Sequence, residues 1–308
     1  MKKTTWRVAI IGAGKVGSTL GRVLVEQGHS VECIISRTMK SARAAGKFIG
    51  CPAVSTDLAD IPSRVNLIML TTPHNAVIDV GRNLARQERS FRGVAVCHAS
   101  GMLTADALEP LKRRGATVFS FHPLQTFPRN FPPARILPHA RNIFYGIDGS
   151  PAGIAAARRL ARALQGHVFL VPPDLREFYH AACVVASNHL TTLLWVLETM
   201  YRTLAPEKTD FLRVFSPIIM ATLANVRSTS PREALTGPVA RGGVETVARH
   251  LDALERHASA EIPFYAALSL ETIRLAAASG MLTQPQQDAL RGLCECHAST
   301  EGTLQRHS

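Results

Sequence analysis

The segment Arg7-Val8-Ala9-Ile10-Ile11-Gly12-Ala13-Gly14-Lys15-Val16-Gly17 decides the fold of this chain. It joins an apolar run to a glycine-rich turn and to the start of a helical pattern over Val16–Glu26. In a strand–turn–helix unit, such glycines permit a tight turn, the approach of the backbone to a pyrophosphate and close packing of helix on strand. We therefore predict a dinucleotide-binding loop rather than a glycine turn without a ligand. Its cofactor-binding residues are Gly12, Ala13, Gly14, Lys15, Val16 and Gly17.

The chain has 308 residues, enough for two domains, and its two parts differ. Up to Val171, short runs rich in Val and Ile alternate with helix-length segments such as Ser41–Phe48 and Pro151–Leu164. This alternation predicts an α/β Rossmann-type domain with a mostly parallel sheet covered on both faces. The predicted strands are Arg7–Ile11, Val31–Ser36, Leu67–Thr72, Val94–His98, Thr117–His122, Asn142–Ile147 and His167–Val171.

Strand signals end at Pro172-Pro173, so we expect a nucleotide-binding domain over 1–171 and an all-α helical domain over 172–308. Asp174 and Glu177 resemble a capping box that opens a helix running to about Leu204. The other predicted helices are 209–226 with a kink at Pro217, Val244–His257, Ile262–Ser279, and one opened by a capping box of Thr283 and Gln286.

The composition argues against nucleic-acid binding even though the net charge is +12. A nucleic-acid interface combines a basic patch with aromatic side chains. Here the longest basic run is Lys112-Arg113-Arg114 and aromatic residues make up 6% of the chain. The positive charge is better suited to small anionic substrates.

The other features of the composition indicate a soluble, cytoplasmic protein without a metal. The most apolar long segment, Ala181–Met200, carries polar residues such as Asn188 and Glu198, which predicts a buried helix rather than a membrane span. The six cysteines follow no secretory signal and lack C-x-x-C spacing, so we expect reduced core residues. Cys294, Cys296 and His297 have poor spacing for a chelate.

The end of the second predicted strand selects the cofactor. An NAD-binding chain would place a carboxylate there for the ribose 2′-hydroxyl, but this strand ends in Ser36, Arg37 and Thr38. Glu32 lies too early in the strand to serve. Hydroxyls and a guanidinium suit a 2′-phosphate, so we predict that the cofactor is NADP.

Polar residues also follow three other strands. Thr71-Thr72-Pro73, His98-Ala99-Ser100-Gly101 and His122 all come at predicted strand ends, where open α/β sheets bind their ligands. We assign Thr71, Thr72 and Pro73 to the cofactor. Ser100 and Gly101 offer a hydroxyl and unhindered N–H groups for a substrate carboxylate.

The helical part contributes three further candidates. His180 and Asn188 lie on or beside one stripe of the long helix, and Arg241 lies in the loop Leu235–Gly243. The alternatives are polar contacts within a core or dimer for the first two, and a plain connector for the loop.

Several motifs follow one another in a recognisable order. They are the glycine loop, His98-Ala99-Ser100-Gly101, Phe121-His122-Pro123-Leu124-Gln125-Thr126-Phe127, Tyr179-His180-Ala181-Ala182, Ala186-Ser187-Asn188 and Thr236-Gly237-Pro238-Val239-Ala240-Arg241-Gly242. Over nearly the whole chain they resemble the Rossmann-like NADP-dependent oxidoreductases with a C-terminal domain of unknown function 2520. That family is similar in layout to ketopantoate reductase, pyrroline-5-carboxylate reductase and the β-hydroxyacid dehydrogenases.

The resemblance implies NADP binding in the first domain, a substrate cleft between the domains and dimerisation through the helical domain. The β-hydroxyacid dehydrogenases place a catalytic Lys on the interdomain helix and an Asn one turn later. This chain has Val184 before Asn188 at that spacing, so the Lys/Asn mechanism does not carry over.

We therefore hypothesise an NADP-dependent reductase of a small anionic carbonyl compound, a 2-keto acid of the ketopantoate type. By analogy with the related reductases, His180 donates the proton and Asn188 holds the carbonyl oxygen, while His98 and His122 shape the floor. An imine reductase of the pyrroline carboxylate type and a non-enzymatic NADP(H) sensor are the alternatives.

The long helix also predicts an assembly. Thirty residues span about 45 Å, more than one helical domain needs, and Leu190–Val196 is apolar almost all round. We expect a two-fold homodimer through the helical domain.

Overall fold

A sheet of eight strands forms the centre of the first part of the protein, in the order β3-β2-β1-β4-β5-β6-β7-β8. The structure, a computed structural model, describes residues 5–204 and 210–298. Neighbouring strands are parallel except for β6 and β7, which pair antiparallel. The strands are β1 Arg7–Ile11, β2 Ser30–Ile35, β3 Val54–Ser55, β4 Leu67–Leu70, β5 Ala95–His98, β6 Thr117–Pro123, β7 Phe144–Gly149 and β8 His167–Leu170.

Helices lie along the sheet in the first part of the chain, and every regular element described after β8 is helical. They are α1 Lys15–Glu26, α2 Met39–Ile49, α3 His74–Ala85, α4 Glu109–Arg113, α5 Pro133–Ile136, α6 Pro151–Ala163, α7 Arg176–Val184, α8 Leu190–Leu204, α9 Phe211–Ser228, α10 Pro231–Ala234, α11 Val244–His257, α12 Ile262–Ala278 and α13 Gln284–Ala298. The predicted fold class is confirmed, and all seven predicted strands are present within a few residues of their expected bounds.

The alternation of side chains along β1 shows why the central strands are apolar throughout. Val8 and Ile10 belong to one hydrophobic core, whereas Ala9 and Ile11 belong to a second core on the opposite face of the sheet. A parallel strand covered on both faces has no solvent side on which polar residues could alternate.

The chain forms two compact units, Met1–Asn188 and His189–Ser308. The first thus includes α7 as well as the sheet. Between α7 and α8 the backbone forms a π-helical turn over Val185–His189, and the limit between the units lies within this turn.

One of the two predicted capping boxes is present. The Gln286 side chain accepts a hydrogen bond from the Thr283 N–H at 2.9 Å, as the pattern predicts. The prediction for Asp174 and Glu177 is wrong: a 3-10 turn over Pro173–Leu175 precedes α7, and α7 has no side-chain cap. The position of Arg176, the first residue of α7, is set instead by buried contacts to the sheet.

Within the second unit, α11, α12 and α13 enclose a small core, while α8 and α9 expose apolar residues. No residue of α9 is buried, and Trp195 of α8 is 59% exposed. The helical stretch Pro173–Leu204 is long and apolar enough to cross a membrane by length and composition alone, and only 6% of its apolar window is buried. The expectation of a buried helix therefore does not hold within a single chain.

Candidate active site

The glycine loop leaves the amino end of α1 free to bind a ligand. Gly12 has a φ of +109°, and a Cβ on Gly17 would collide with the Gly12 carbonyl oxygen and Thr71 Oγ1. Gly14 precedes α1 without a side-chain cap, the first turn carries no acidic residue, and nothing lies within 4 Å of a Cβ placed on Gly14. Free N–H groups, the helix dipole and open space fit a pyrophosphate.

Thr71, directly after β4, supports the glycine loop. Thr71 Oγ1 donates a hydrogen bond to the Gly12 carbonyl oxygen at 2.7 Å, so this hydroxyl supports the loop. In the described part of the chain, the buried hydroxyl oxygen of Thr72 has no hydrogen-bond partner. Pro73 precedes α3, which also begins without a side-chain cap or an acidic first turn.

The end of β2 has the character that the sequence predicts. Arg37 is exposed, and no acidic residue among 5–204 and 210–298 pairs with it. Ser36 is half-buried, while Thr38 caps α2 by accepting a hydrogen bond from the Ser41 N–H at 3.3 Å. Glu32 accepts a hydrogen bond from Ser30, the main reason that its pKa is lowered, and pairs with Arg64. Its carboxylate is thus engaged near the start of β2.

A buried ion pair holds the loop after β5. Arg176 and Asp148 are 1% and 4% exposed, and Arg176 Nη1 lies 3.1 Å from Asp148 Oδ2. The same guanidinium donates to the carbonyl oxygens of Ser100 and Gly101, each at 3.0 Å. Asp148 also accepts from the Ala105 N–H at 2.6 Å and from Ser120 Oγ at 2.5 Å. With all its partners present, this pair fixes the 100–105 backbone against β6 and β7.

His98 at the end of β5 is fully buried, and both of its ring nitrogens are engaged. The Ser100 N–H donates to Nδ1 at 3.3 Å, so the proton resides on Nε2, which donates to the Thr104 carbonyl oxygen at 2.9 Å. Burial lowers the pKa of His98 to about 4. A neutral imidazole in this arrangement stabilises its loop and has no free proton for a substrate.

Two other imidazoles approach Gly101 on the side where a side chain would lie. A Cβ on this glycine would collide with His180 Cδ2 and would lie 3.0 Å from His122 Nε2. The two ring centroids are 6.1 Å apart, and both side chains are half-buried. Only glycine allows the backbone to approach both rings this closely.

The other predicted substrate and catalytic residues have different surroundings. Ser100 Oγ accepts from the N–H groups of Met102 and Leu103, so it shapes its own loop. Asn188 is exposed in the π-helical turn and accepts a hydrogen bond from Ser187 Oγ at 2.9 Å. Arg241 is exposed in a 3-10 turn of the second unit. The structure thus brings His98, Ser100, Gly101, His122 and His180 together in the first unit.

Sequence reasoning missed the buried pair of Arg176 and Asp148. Asp148 is a lone acid in an otherwise apolar strand, which is the one local signal that a buried partner is needed. Arg176 stands between Leu175 and Glu177 and looks like an ordinary surface residue of a helix start.

Two family descriptions match the sequence. Residues 1–123 match a Rossmann-like domain, and residues 143–272 match a domain of unknown function, DUF2520. The chain therefore carries a Rossmann-like domain followed by a DUF2520 domain. The DUF2520 match starts just before β7, so in this DUF2520 protein it includes two strands of the sheet and all of α7.

Solved structures share the fold of this DUF2520 protein at low sequence identity. A protein from Bacteroides fragilis, named as a candidate NADP oxidoreductase, is 20% identical, with a TM-score of 0.66 over 94% of this chain and 98% of that chain. A protein from Thermotoga maritima is 22% identical, with a TM-score of 0.64 over 81% and 91%. A reductive aminase from Aspergillus terreus, in complex with NADPH and ethyl levulinate, is 17% identical, with a TM-score of 0.56 over 95% and 93%. No curated protein matches the sequence.

Proposed function

We propose that this protein is an NADP-dependent oxidoreductase that transfers a hydride between NADPH and a small anionic carbonyl compound, a 2-keto acid. The observation that carries the proposal is the close approach of His122 and His180 to Gly101, beyond the carboxyl end of β5. The ends of β1, β4 and β5 are in register through Ile11, Leu70 and His98. Reactive side chains and the glycine loop therefore lie at one edge of the sheet.

The residues around the loop fit NADPH. The free amino end of α1 and the open space at Gly14 suit the pyrophosphate, and Arg37 suits the 2′-phosphate. When bound, NADPH supplies the hydride. A candidate NADP oxidoreductase and a reductive aminase in complex with NADPH share this fold, which agrees with the proposal.

The protein must supply the proton and bind the substrate. Reduction of a ketone adds a hydride to carbon and a proton to oxygen, which yields a 2-hydroxy acid. We assign the proton to His180, because an imidazole is the commonest proton donor in catalysis and neither of its ring nitrogens has a hydrogen-bond partner in the described residues. His98 is unsuited because its loop occupies both of its nitrogens. Asn188 is assigned to the carbonyl oxygen, and Ser100 and Gly101 to the substrate carboxylate.

The test is NADPH oxidation, followed by absorbance, with a panel of 2-keto acids and cyclic imines. We expect turnover with at least one keto acid and loss of turnover in His180→Gln. Turnover with imines alone would replace the keto acid by an imine substrate. Tight NADPH binding without any turnover across the panel would overturn the enzyme proposal and favour an NADP(H) sensor.

We also propose that the protein is a soluble cytoplasmic homodimer, joined through the helical unit. Apolar side chains of α8 and α9 are uncovered in one chain, among them Trp195 at 59% and Ile218 at 65% exposure. An apolar surface of this kind marks an interface, and a two-fold arrangement would bury the same surface of both copies. The polar residues Ser187, Asn188 and Glu198 on the long helix favour a protein partner over lipid.

A further inference from the structure

The Tyr179 side chain is held rigidly against His122. Tyr179 is 7% exposed, and its hydroxyl lies 2.8 Å from His122 Nδ1. The two rings meet edge-on at 88°. The hydroxyl packs so closely on Gly146 that a Cβ there would collide with it, and the Arg176 guanidinium lies 5.2 Å from the centre of the tyrosine ring. These contacts fix the position of the Tyr179 hydroxyl.

This hydrogen bond selects a tautomer of His122. Burial raises the pKa of Tyr179, so the hydroxyl keeps its proton and can donate it. Among the described residues, the side-chain acceptors that contact it are His122 Nδ1 and the sulfur of Cys183, and an imidazole nitrogen is much the stronger acceptor. When Nδ1 of a neutral imidazole accepts, the ring proton must be on Nε2.

The Nε2 side of His122 faces Gly101. No described residue accepts a hydrogen bond from Nε2, and none accepts from the Gly101 N–H. Arg176 holds the Gly101 carbonyl oxygen at 3.0 Å and so fixes the orientation of this peptide. His122 Nε2–H and the Gly101 N–H therefore form a pair of donors at one glycine. Both groups can only donate, so the donor pair suits an oxygen that carries no proton of its own.

We propose that Tyr179 is a positioning residue that holds His122 as a neutral Nε2–H donor, and that the donor pair of His122 and Gly101 binds a carboxylate oxygen of the substrate. The proposal rests on the proposed function for the identity of the substrate, but the binding of a carboxylate does not depend on turnover.

The charged and titratable groups around His122 support a neutral donor. From α7 it is faced by Arg176, Tyr179 and His180, and from β5 by His98. Burial is the main cause that lowers the pKa of His122 to about 4, and the positive charge of Arg176 is the next. His122 is thus neutral at pH 7, where it binds the substrate while His180 donates the proton.

Nitrogen-15 NMR of protein labelled at its histidines measures the tautomer directly. We expect His122 of the wild type in the Nε2–H form at pH 7. Tyr179→Phe should produce a mixture of both tautomers, because the ring keeps its packing and loses only the hydroxyl. A wild-type His122 with its proton on Nδ1 would overturn the proposal, as would a tautomer that Tyr179→Phe leaves unchanged. The wild-type spectrum shows the tautomer of His122 even if the variant does not fold.

A second His–Tyr pair in the chain provides a matched control. His250 Nδ1 lies 2.8 Å from the Tyr265 hydroxyl, and these rings also meet edge-on, at 84°. Tyr265→Phe removes the same kind of hydrogen bond in the second unit, and it should leave the His122 signals unchanged.

Titration with sodium acetate, with acetamide and sodium chloride as references, tests the ligand. Acetate carries the carboxylate, whereas acetamide has the same shape with a neutral carbonyl. We expect acetate alone to shift the His122 Nε2–H signal, and Tyr179→Phe to weaken this binding about three- to tenfold, the usual worth of one neutral hydrogen bond. An equal response to all three probes, or to acetate in both proteins, would overturn the proposal. If acetate binds as expected but NADPH oxidation fails with every substrate, the proposed function fails and the donor pair stands.

Discussion

The helices α1 and α9 differ sharply in burial, although α9 is the more apolar of the two. Seven of the 12 residues of α1 are buried, among them Leu20 and Leu24. None of the 18 residues of α9 is buried, although only Arg213 and Arg227 are charged. The difference lies in the surfaces opposite each helix: the sheet covers one face of α1, and no described residue covers α9 as fully.

The first unit buries its core apolar residues within one chain, whereas the second unit leaves an apolar surface exposed. The first unit has its own two cores, the free amino end of α1 and the imidazoles around Gly101. The second unit has a small core and an apolar surface on α8 and α9. We therefore expect substitutions in the first unit to change chemistry and cofactor binding, and substitutions on α9 to change assembly.

The largest expected effect is that of His180→Gln on turnover. General acid catalysis contributes roughly 10²–10⁴ in rate, so kcat should fall by that factor once a substrate is known, while NADPH affinity stays the same. His257→Gln, the same change at an exposed position of the second unit, is the control. A fall below tenfold would move the proton donor to another residue, with His122 next in line.

A charge on α9 should disrupt assembly without affecting the first unit. Ile218→Arg would bury an unpaired guanidinium in the proposed interface, which should weaken dimerisation on the order of 10²–10³-fold. Light scattering should then report the mass of one chain, 33.4 kDa, against twice that for the wild type. Ile78→Arg, on α3 of the first unit, should leave the mass unchanged. A wild type that already has the mass of one chain would contradict the dimer.

The replacement of Arg37 tests the cofactor in the first unit. A hydrogen bond to a charged group is worth ~1.5–3 kcal/mol, so Arg37→Ala should weaken NADPH binding roughly 10–100-fold and leave NADH binding nearly unchanged. Arg43→Ala, on the exposed side of α2, is the control. Equal weakening of both cofactors, measured by fluorescence titration, would argue against a contact with the 2′-phosphate.

The smallest effect concerns stability in the core of the first unit. The pKa of His98 is about 4 in the folded protein, against an ordinary value of 6.5, so the unfolded chain binds more protons between these pH values. The contribution of neutral His98 to the free energy of unfolding is therefore complete above pH 6.5. It is lost as the pH falls toward 4, and about 2 kcal/mol is lost at pH 5. Urea unfolding of His98→Asn should show a weaker pH dependence than the wild type by this amount. The exposed control His257→Asn should keep the wild-type dependence.

Local patterns in the sequence suffice for most of the fold. Strand β1, the glycine loop and α1 are contiguous, so their residues report directly on the turn and on the packing that follows it. The central strands are recognisable because burial on both faces requires continuous apolar runs. Strand β3 was not predicted from the sequence, because its two residues, Val54 and Ser55, are too few to show a periodic pattern.

The amino-acid sequence by itself determined the Rossmann-type domain, the absence of an acid at the end of β2 and the set of histidines near the strand ends. Only the tertiary structure distinguishes these histidines from one another. His98 and His122 both lie near strand ends. His98 is hydrogen-bonded to its own loop, whereas His122 is hydrogen-bonded to Tyr179, 57 positions away along the chain. The pair of Arg176 and Asp148 is likewise separated by 28 positions. Burial, tautomer and charge depend on neighbours that only folding brings together, and no local pattern of residues records them.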